Sequence, residues 1–278
     1  MKQVPMARLP NGVEMPMVGL GTFRSAGSEL REAVVTAIKT GYTSVDTAWV
    51  YENEQDVAAG INAAKASRED ILITSKLWND LQGYDSTMKA FDESLRLLNT
   101  DYIDLYLIHW PGKEKFVDTW KAFEKLYKDE RVRAVGVSNF MPHHLDVLLD
   151  SCEIVPMVNQ IEAHAYFMDY DTIEYCQRYS ILVEAWSPLG YGSGLLKEKA
   201  LKDAGKAHGK TPAQVALRFL IQNGIRVLPK SVHADRQKQN FEIFDFALTE
   251  KEMDAIRSLN TKRRLGPNPD VFFIWDRD

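Results

Sequence analysis

The chain has 278 residues, of which 34 are Lys or Arg and 39 are Asp or Glu, so its formal net charge is −5. Its 45% apolar content is enough for a sizeable core, which excludes an intrinsically disordered chain. A mildly acidic balance with both signs mixed argues against a nucleic-acid-binding protein or one that binds anionic membranes.

The first predicted structural element is a β-hairpin, because Asn11-Gly12 lies between short β-prone runs at residues 6–9 and 13–15. Residues 1–9 show no signal-peptide pattern, and no stretch approaches the roughly 18 apolar residues of a membrane span. We therefore expect a cytoplasmic protein. Eight further β-prone runs follow at residues 17–23, 43–48, 71–78, 103–110, 133–140, 157–164, 182–189 and 226–231.

Segments with helical spacing separate these runs. One helical face is formed by Met88, Phe91, Leu95 and Leu98. Thr211 followed by Pro212 predicts the start of a later helix, and residues 249–260 predict an extra helix after the last run. The remaining residues, 261–278, are rich in turn-forming residues and then in aromatic ones.

About eight alternating strand–helix units within about 250 residues favour a closed (β/α)8 barrel. An open dinucleotide-binding sheet would carry Gly-x-Gly-x-x-Gly in its first strand–helix turn, whereas this turn lacks a third glycine after Gly19 and Gly21. The sequence therefore predicts one α/β domain over residues 1–278. It is a TIM barrel with an N-terminal β-hairpin, an extra C-terminal helix and a tail.

Four reactive side chains lie at the carboxyl ends of the predicted strands, where barrels of this kind place their active sites. Asp46, Lys76 and His109 end three adjacent strands, and Tyr51 follows the first of them. An ionisable side chain in an apolar strand is costly to bury unless it is paired. Each residue alone would be typical of a structural role, but the four together indicate a catalytic site.

Six short segments form one further pattern along the whole chain. They are residues 41–54, 105–111, 136–140, 159–162, 185–189 and 228–231. In type and order they resemble the motifs of the aldo-keto reductase superfamily. The likeness is closest to the bacterial and protozoan branch, which includes 2,5-diketogluconate reductases, methylglyoxal reductases and prostaglandin F synthases. Thr43-Ser44 departs from the usual Arg-His, and His164-Ala165 from the usual His-Pro, so substrate preference is the property that these departures affect.

The resemblance implies NADPH-dependent reduction of an aldehyde or ketone, with Tyr51 as the proton donor. The chemistry of carbonyl reduction agrees with this role for Tyr51, because a carbonyl oxygen that gains negative charge needs a positioned acid. A Lys76 ammonium about 4 Å away would favour the phenolate by about 4 kcal/mol at an effective dielectric near 20. We therefore expect the pKa of Tyr51 to fall by about 3 units from about 10. Asp46 would hold Lys76 charged, and His109 would donate to, or orient, the substrate oxygen.

The resemblance also implies a cofactor site at the other strand ends. The residues implied for nicotinamide and pyrophosphate are Asp46, Ser138, Asn139, Gln160, Trp186, Ser187 and Leu189. Those implied for the 2′-phosphate and adenine are Lys230, Ser231, Arg236, Gln239 and Asn240. Those implied for the ribose and substrate side are Gly21, Thr22 and Phe23. Lys230 and Arg236 flank a strand-to-helix turn, which suits a phosphate clamp.

The substrate pocket is expected to be aromatic and to surround His109. Its candidate residues are Phe23, Trp49, Trp78, Trp110 and Trp275. The connections at residues 111–116 and 191–195 are short, which favours an open and permissive pocket. No cysteine pair or ligand spacing indicates a metal site.

Three other functions fit parts of this pattern. A barrel of this superfamily can serve as a cofactor-binding regulatory subunit, and a prostaglandin F synthase-type activity would be a specialised form of the same chemistry. A lysine at a strand end, here Lys76, can also form a Schiff base, as in class I aldolases. The leading hypothesis remains a monomeric reductase whose partner is a small carbonyl compound.

Overall fold

Eight parallel strands form the barrel, and each pairs with the next along the chain. The computed structural model describes residues 4–112 and 115–272. The barrel strands are β3 (Leu20–Gly21), β4 (Ser44–Asp46), β5 (Leu72–Leu77), β6 (Ile103–Ile108), β7 (Val132–Ser138), β8 (Val158–Glu162), β9 (Leu182–Trp186) and β10 (Arg226–Val227). β10 meets β3 again, because the Gly19 amide donates to Val227 O at 3.0 Å and the Gly21 amide to Pro229 O at 3.2 Å. The predicted (β/α)8 fold is thus confirmed.

A two-stranded hairpin precedes the barrel and covers one end of it. Its strands, β1 (Met6–Arg8) and β2 (Glu14–Pro16), pair antiparallel. Leu9 and Met15 of the hairpin are buried in one apolar cluster with Leu107 of β6 and Val158 of β8. This closes the end of the barrel at which the strands begin and leaves their carboxyl ends for a functional site.

Helices surround the barrel over the described parts of the chain. They are α1 (Gly27–Thr40), α2 (Glu54–Ala63), α3 (Tyr84–Leu98), α4 (Phe116–Lys128), α5 (Pro142–Leu149), α6 (Tyr170–Arg178), α7 (Lys199–His208), α8 (Pro212–Gln222), α9 (Ala234–Phe241) and α10 (Glu250–Arg257). Thr211 and Thr249 cap α8 and α10 through their side chains, as helix-start signals of this type do. No helix in the described ranges is long and apolar enough to cross a membrane.

Two details differ from the sequence prediction. β10 has two residues rather than the six of the run at 226–231, because Pro229 has no amide proton to give to a neighbouring strand. The connection after β9 is also longer than the short stretch at 191–195 suggested, because α7 lies between β9 and α8.

Gly136 in β7 lies where the barrel wall has no space for a side chain. A Cβ there would be 2.5 Å from Val158 O and 2.8 Å from Leu107 Cδ2. Since strand backbones cannot shift without breaking the sheet, we expect Gly136→Ala to lower the free energy of unfolding by about 3 kcal/mol. Ala134→Gly in the same strand is the control and should cost about 1 kcal/mol. Urea unfolding measures both, and equal small losses would contradict this account.

Candidate active site

The four predicted catalytic residues lie together at the open end of the barrel. Asp46 ends β4, Lys76 lies in β5, His109 directly follows β6, and Tyr51 lies in a short 3-10 helix after β4. Lys76 Nζ donates to Asp46 Oδ1 at 2.7 Å, to Thr47 O at 2.8 Å and to Tyr51 Oη at 3.5 Å. Lys76 is fully buried, so its three ammonium protons all have partners and its charge is compensated by Asp46.

The electrostatics of Tyr51 differ from the sequence prediction. Burial raises the pKa of Tyr51 by more than the Lys76 ammonium lowers it, and Asp46 also raises it. The predicted net fall is therefore wrong. The sequence argument counted the charge of Lys76, but not the loss of water around the phenol or the carboxylate that partly neutralises the lysine. Tyr51 thus stays a protonated phenol across the neutral pH range.

Lys76 is charged at neutral pH, whereas His109 is neutral. Burial lowers the pKa of Lys76, but Asp46 and Tyr51 raise it more, so its pKa is above the usual value and the ammonium persists. Burial, with the nearby Lys76 charge, holds the pKa of His109 well below its usual range. His109 is therefore a neutral ring at pH 7. Its Nδ1 is buried and has no hydrogen-bond partner among the described residues.

The turn that carries Tyr51 is fixed by Asn53, a residue that the sequence interpretation did not single out. Asn53 Nδ2 donates to Thr22 O at 3.1 Å and to Ser25 O at 2.9 Å, and Thr47 Oγ1 donates to Asn53 Oδ1 at 2.5 Å. These bonds join the loops after β3 and β4. The only sequence signal for Asn53 was its position in residues 41–54, the first of the six segments that resemble the family motifs.

The residues predicted for nicotinamide form one connected group beside Asp46. Trp186 Nε1 donates to Asn139 Oδ1 at 2.8 Å, and Asn139 Nδ2 donates to Ser138 Oγ and to His109 O, each at 3.0 Å. Asn139 has a φ of 63°, a left-handed conformation that asparagine tolerates and that turns its side chain from the strand. Gln160 Nε2 reaches Asp46 Oδ2 at 2.8 Å. The group therefore adjoins the catalytic candidates directly.

The residues predicted for the 2′-phosphate lie where β10 leads into α9. Lys230 and Arg236 are exposed, and Arg236 is in the first turn of α9. Arg236 makes no salt bridge with any residue within 4–112 or 115–272. Ser231 Oγ accepts the His233 amide at 3.1 Å. An unpaired guanidinium at a helix N-terminus has the chemistry that a phosphate needs, so this end of the barrel fits the cofactor.

The other predicted cofactor residues occupy the rim of the mouth. Gly21 ends β3 and is followed by Thr22 and Phe23, while Ser187 and Leu189 follow β9. Thr22 is buried and donates to Asp46 O at 2.9 Å. The Phe23 ring lies 5.0 Å from that of Tyr51. In α9, Gln239 is exposed and Asn240 is buried.

Two of the aromatic residues predicted for the pocket, Trp78 and Trp110, lie next to His109. The rings of Trp78 and His109 are 5.2 Å apart, and the tail residue Phe272 lies 4.5 Å from Trp110 and 6.1 Å from Trp78. Trp49 instead directs its indole N–H to Glu93 at 3.3 Å. Trp275 lies outside the described residues. Phe272 was not predicted as a pocket residue, because nothing local in the sequence indicates where a tail folds back.

One group of side chains in the described ranges could be considered for a metal ion. It is formed by His143, His144 and Asp270, whose ligand atoms lie within 4.8 Å of one another. His144 Nδ1 accepts the Met141 amide at 3.1 Å, so its other nitrogen carries the proton and points to Asp270 at 3.4 Å. That nitrogen has no lone pair for an ion. The group therefore serves as a link between α5 and the tail.

Comparisons with known proteins agree with this geometry. Residues 17–261 match the model of the Aldo/keto reductase family. The chain is 51% identical over 268 residues to the 9,11-endoperoxide prostaglandin H2 reductase of Trypanosoma cruzi, and 51% identical over 264 residues to the glyoxal reductase of Bacillus subtilis. Each alignment covers 95% of both chains.

A solved structure gives the same result for the fold. A mutant of the protein Gox0644, crystallised in complex with NADPH, superposes with a TM-score of 0.93 at 40% identity, covering 98% of this chain and 99% of that one. The family and the branch predicted from the six segments are thus confirmed. This chain belongs to the aldo/keto reductase family of oxidoreductases.

Proposed function

We propose that this chain reduces small aldehydes and ketones to alcohols, with NADPH as its cofactor. The observation that carries the proposal is the Lys76 ammonium held between Asp46 and Tyr51 at the open end of the barrel. NADPH, when bound, supplies the hydride that the carbonyl carbon accepts. Side chains of this chain bind and orient the carbonyl compound and protonate its oxygen.

Tyr51 is the proposed proton donor to the carbonyl oxygen. Because the partly buried phenol stays protonated, a proton is available at the moment that the oxygen gains negative charge. The phenolate left behind faces the Lys76 ammonium at 3.5 Å, which stabilises it. Asp46 keeps that ammonium charged and in place. A proton from solvent then restores the phenol before the next turnover.

His109 is the proposed positioning group for the substrate oxygen. A neutral ring offers an N–H to the carbonyl without bringing a second full positive charge next to Lys76. Its ring packs edge-on against Tyr51 at 5.7 Å and against Trp78 at 5.2 Å, which fixes its orientation. A carbonyl oxygen between His109 and Tyr51 would therefore meet both groups.

We propose that the cofactor is held by the two groups of residues described above. Ser138, Asn139 and Gln160 would bind the carboxamide and Trp186 would pack on the nicotinamide, while Lys230 and Arg236 would hold the 2′-phosphate. All of these side chains belong to one chain, so the site is complete in a monomer, which we propose as the working form in the cytoplasm.

The aromatic residues near His109 and the names of the related proteins both indicate the substrate class. Trp78 and Trp110 lie next to His109 and Phe272 packs on both indoles, and apolar rings of this kind suit small dicarbonyls of the methylglyoxal type, keto-sugars and aromatic aldehydes. The Bacillus subtilis relative is named a glyoxal reductase, which favours the dicarbonyls. The Trypanosoma cruzi relative is a prostaglandin H2 reductase, so a prostaglandin-directed activity is the second candidate.

The test follows NADPH absorbance with methylglyoxal, an aromatic aldehyde, a keto-sugar and a prostaglandin endoperoxide. We expect oxidation of NADPH with the first two at the highest kcat/KM. Turnover of the endoperoxide alone would replace the first candidate with the second. NADPH binding without any turnover would overturn the proposed activity, and trapping of a carbonyl compound on Lys76 by borohydride would favour the Schiff-base alternative.

Arg236→Ala is expected to weaken NADPH binding by about 10- to 100-fold, because a hydrogen bond to a charged phosphate is lost. NADH has no 2′-phosphate, so its affinity should barely change. Lys238→Ala, another exposed basic residue of α9, is the matched control and should leave both affinities unchanged. Fluorescence titration measures both cofactors. Equal losses for NADH and NADPH in Arg236→Ala would show that Arg236 does not bind the phosphate.

A further inference from the structure

A second buried ion pair lies inside the barrel next to the four catalytic candidates. Arg226 of β10 stands opposite Glu184 of β9 in the parallel register, and both side chains have 0% exposure. The Arg226 guanidinium donates to the Glu184 carboxylate, to Pro16 O at 2.7 Å and to Ser44 Oγ at 2.5 Å. The guanidinium is thus bonded on all three of its nitrogens, so its position is fixed.

Small residues create the space that this guanidinium occupies. A Cβ on Gly19 would be 2.8 Å from Arg226 Nη2 and 3.1 Å from Ser44 Oγ. Ser44 is one of the residues at which the chain departs from the family pattern, and here its hydroxyl accepts from Arg226. The serine at position 44 is therefore one of the residues that bind the Arg226 guanidinium.

Gln160 joins the two ion pairs. Its Nε2 donates to Asp46 Oδ2 at 2.8 Å and to Glu184 Oε2 at 3.0 Å. A primary amide nitrogen has two protons, so both are used and the nitrogen must face the two carboxylates. The reversed carboxamide would place its oxygen against both negative charges. Glu184 and Asp46 together therefore fix the Gln160 carboxamide with its nitrogen between the two carboxylates.

Burial of a second ion pair needs a reason other than stability. Apolar side chains of similar volume stabilise a protein interior as well as a buried ion pair does, or better. In some proteins such a pair instead specifies the arrangement of its neighbours. The neighbour that this pair specifies is Gln160, which touches the carboxylate that holds Lys76.

We propose that Glu184, held in place by Arg226, is a positioning residue that orients Gln160 toward Asp46 and the cofactor. This inference rests on the proposed function, in which Gln160 binds the nicotinamide carboxamide. Glu184 and Arg226 both have 0% exposure, so neither side chain offers surface to a substrate or cofactor. They affect the reaction only by positioning the Gln160 carboxamide, which lies between the carboxylates of Glu184 and Asp46.

The experiment compares three double variants that leave no buried charge unpaired; in the control, only the half-exposed Arg133 loses its partner, Asp104. Glu184→Met with Arg226→Met removes the pair and the acceptor for Gln160. Glu184→Gln with Arg226→Met removes the charges but keeps an amide oxygen that can accept from Gln160. Asp104→Leu with Arg68→Met removes a different ion pair, joined at 2.7 Å, that lies away from Gln160 and serves as the matched control.

We expect the Met/Met variant and the control both to lower Tm. Only the Met/Met variant should raise the NADPH Kd, by at least about fivefold, and lower kcat by at least about tenfold, with the aldehyde KM within about twofold of wild type. The variant with Glu184→Gln should retain NADPH affinity within about threefold. Unchanged NADPH Kd and kcat in the Met/Met variant, or equal losses in the variant that keeps the amide, would overturn the proposal.

A double-mutant cycle tests the route through Gln160. In a Gln160→Met background, removal of the Glu184–Arg226 ion pair should change the NADPH Kd by less than about twofold, because the carboxamide that Glu184 positions is absent. A loss as large as in the wild-type background would also overturn the proposal. If the Met/Met variant does not fold, Glu184→Asp keeps both charges while a shorter side chain withdraws from Gln160, and the same rise in NADPH Kd is expected.

These readouts separate this inference from the proposed function. NADPH binding by fluorescence and Tm are measured without substrate, so they decide the role of Glu184 even if no carbonyl compound is turned over. Wild-type turnover together with an unaffected Met/Met variant would refute the inference alone.

Discussion

Tyr51→Phe is expected to lower kcat for aldehyde reduction by at least about 100-fold, the lower end of what a general acid contributes. The variant keeps the aromatic ring, which packs 5.0 Å from Phe23 and 5.7 Å from His109, and removes only the hydroxyl. The Tyr51 phenol, which is partly buried, is protonated at neutral pH and lies next to a cation that can stabilise its conjugate base.

Steady-state kinetics and NADPH fluorescence together check this prediction. NADPH affinity and Tm should stay close to wild type, because the ring contacts remain. Tyr84→Phe, at an exposed position on α3, is the control and should leave kcat unchanged. Turnover by Tyr51→Phe above a tenth of the wild-type rate would rule out Tyr51 as the proton donor.

The sequence could predict that Asp46, Lys76 and His109 lie close together, because parallel strands share one direction. Once eight strand–helix units define a barrel, the residues that end adjacent strands lie side by side at the same mouth. Tyr51 could be added because it follows the Asp46 strand by five residues. The Lys76–Asp46 contact of 2.7 Å and the nearby Tyr51 hydroxyl agree with that argument.

The protonation state of Tyr51 could not be predicted, because it depends on the balance between burial and charge. Sequence shows which charges are present, but not how much water remains around a phenol. Phe272 reaches Trp110 across about 160 residues of chain, and no local pattern specifies such a contact. Both properties arise from tertiary packing.

Glu184 and Arg226 are a different case, because a signal for them was present in the sequence. Each is an ionisable residue in an apolar strand run, the same observation that singled out Asp46 and Lys76. The strand-end criterion does not select them, because Glu184 lies in the middle of β9 and Arg226 at the start of β10. An arginine and a glutamate in consecutive barrel strands predict a buried pair whenever both side chains point inward.

Lys76→Met is expected to lower both stability and rate. It leaves the buried Asp46 carboxylate without its cation, which costs about 3–5 kcal/mol in the free energy of unfolding. It also removes the charge that stabilises the Tyr51 phenolate, so kcat should fall by at least about 100-fold. Since Lys76 lowers the pKa of Tyr51, its loss raises that pKa further. Any fall in reduction rate caused by ionisation of Tyr51 therefore moves to higher pH.

The two effects of Lys76 can be separated with Asp46→Asn in the Lys76→Met background. That double variant has no unpaired charge, so urea unfolding should show most of the lost stability restored. The rate should not recover, because nothing positive then faces the Tyr51 hydroxyl, which lies 3.5 Å from Lys76 Nζ in the wild-type protein. Recovery of kcat to within tenfold of wild type in this double variant would mean that Lys76 serves only to neutralise Asp46, and that Tyr51 gives up its proton without help from a cation.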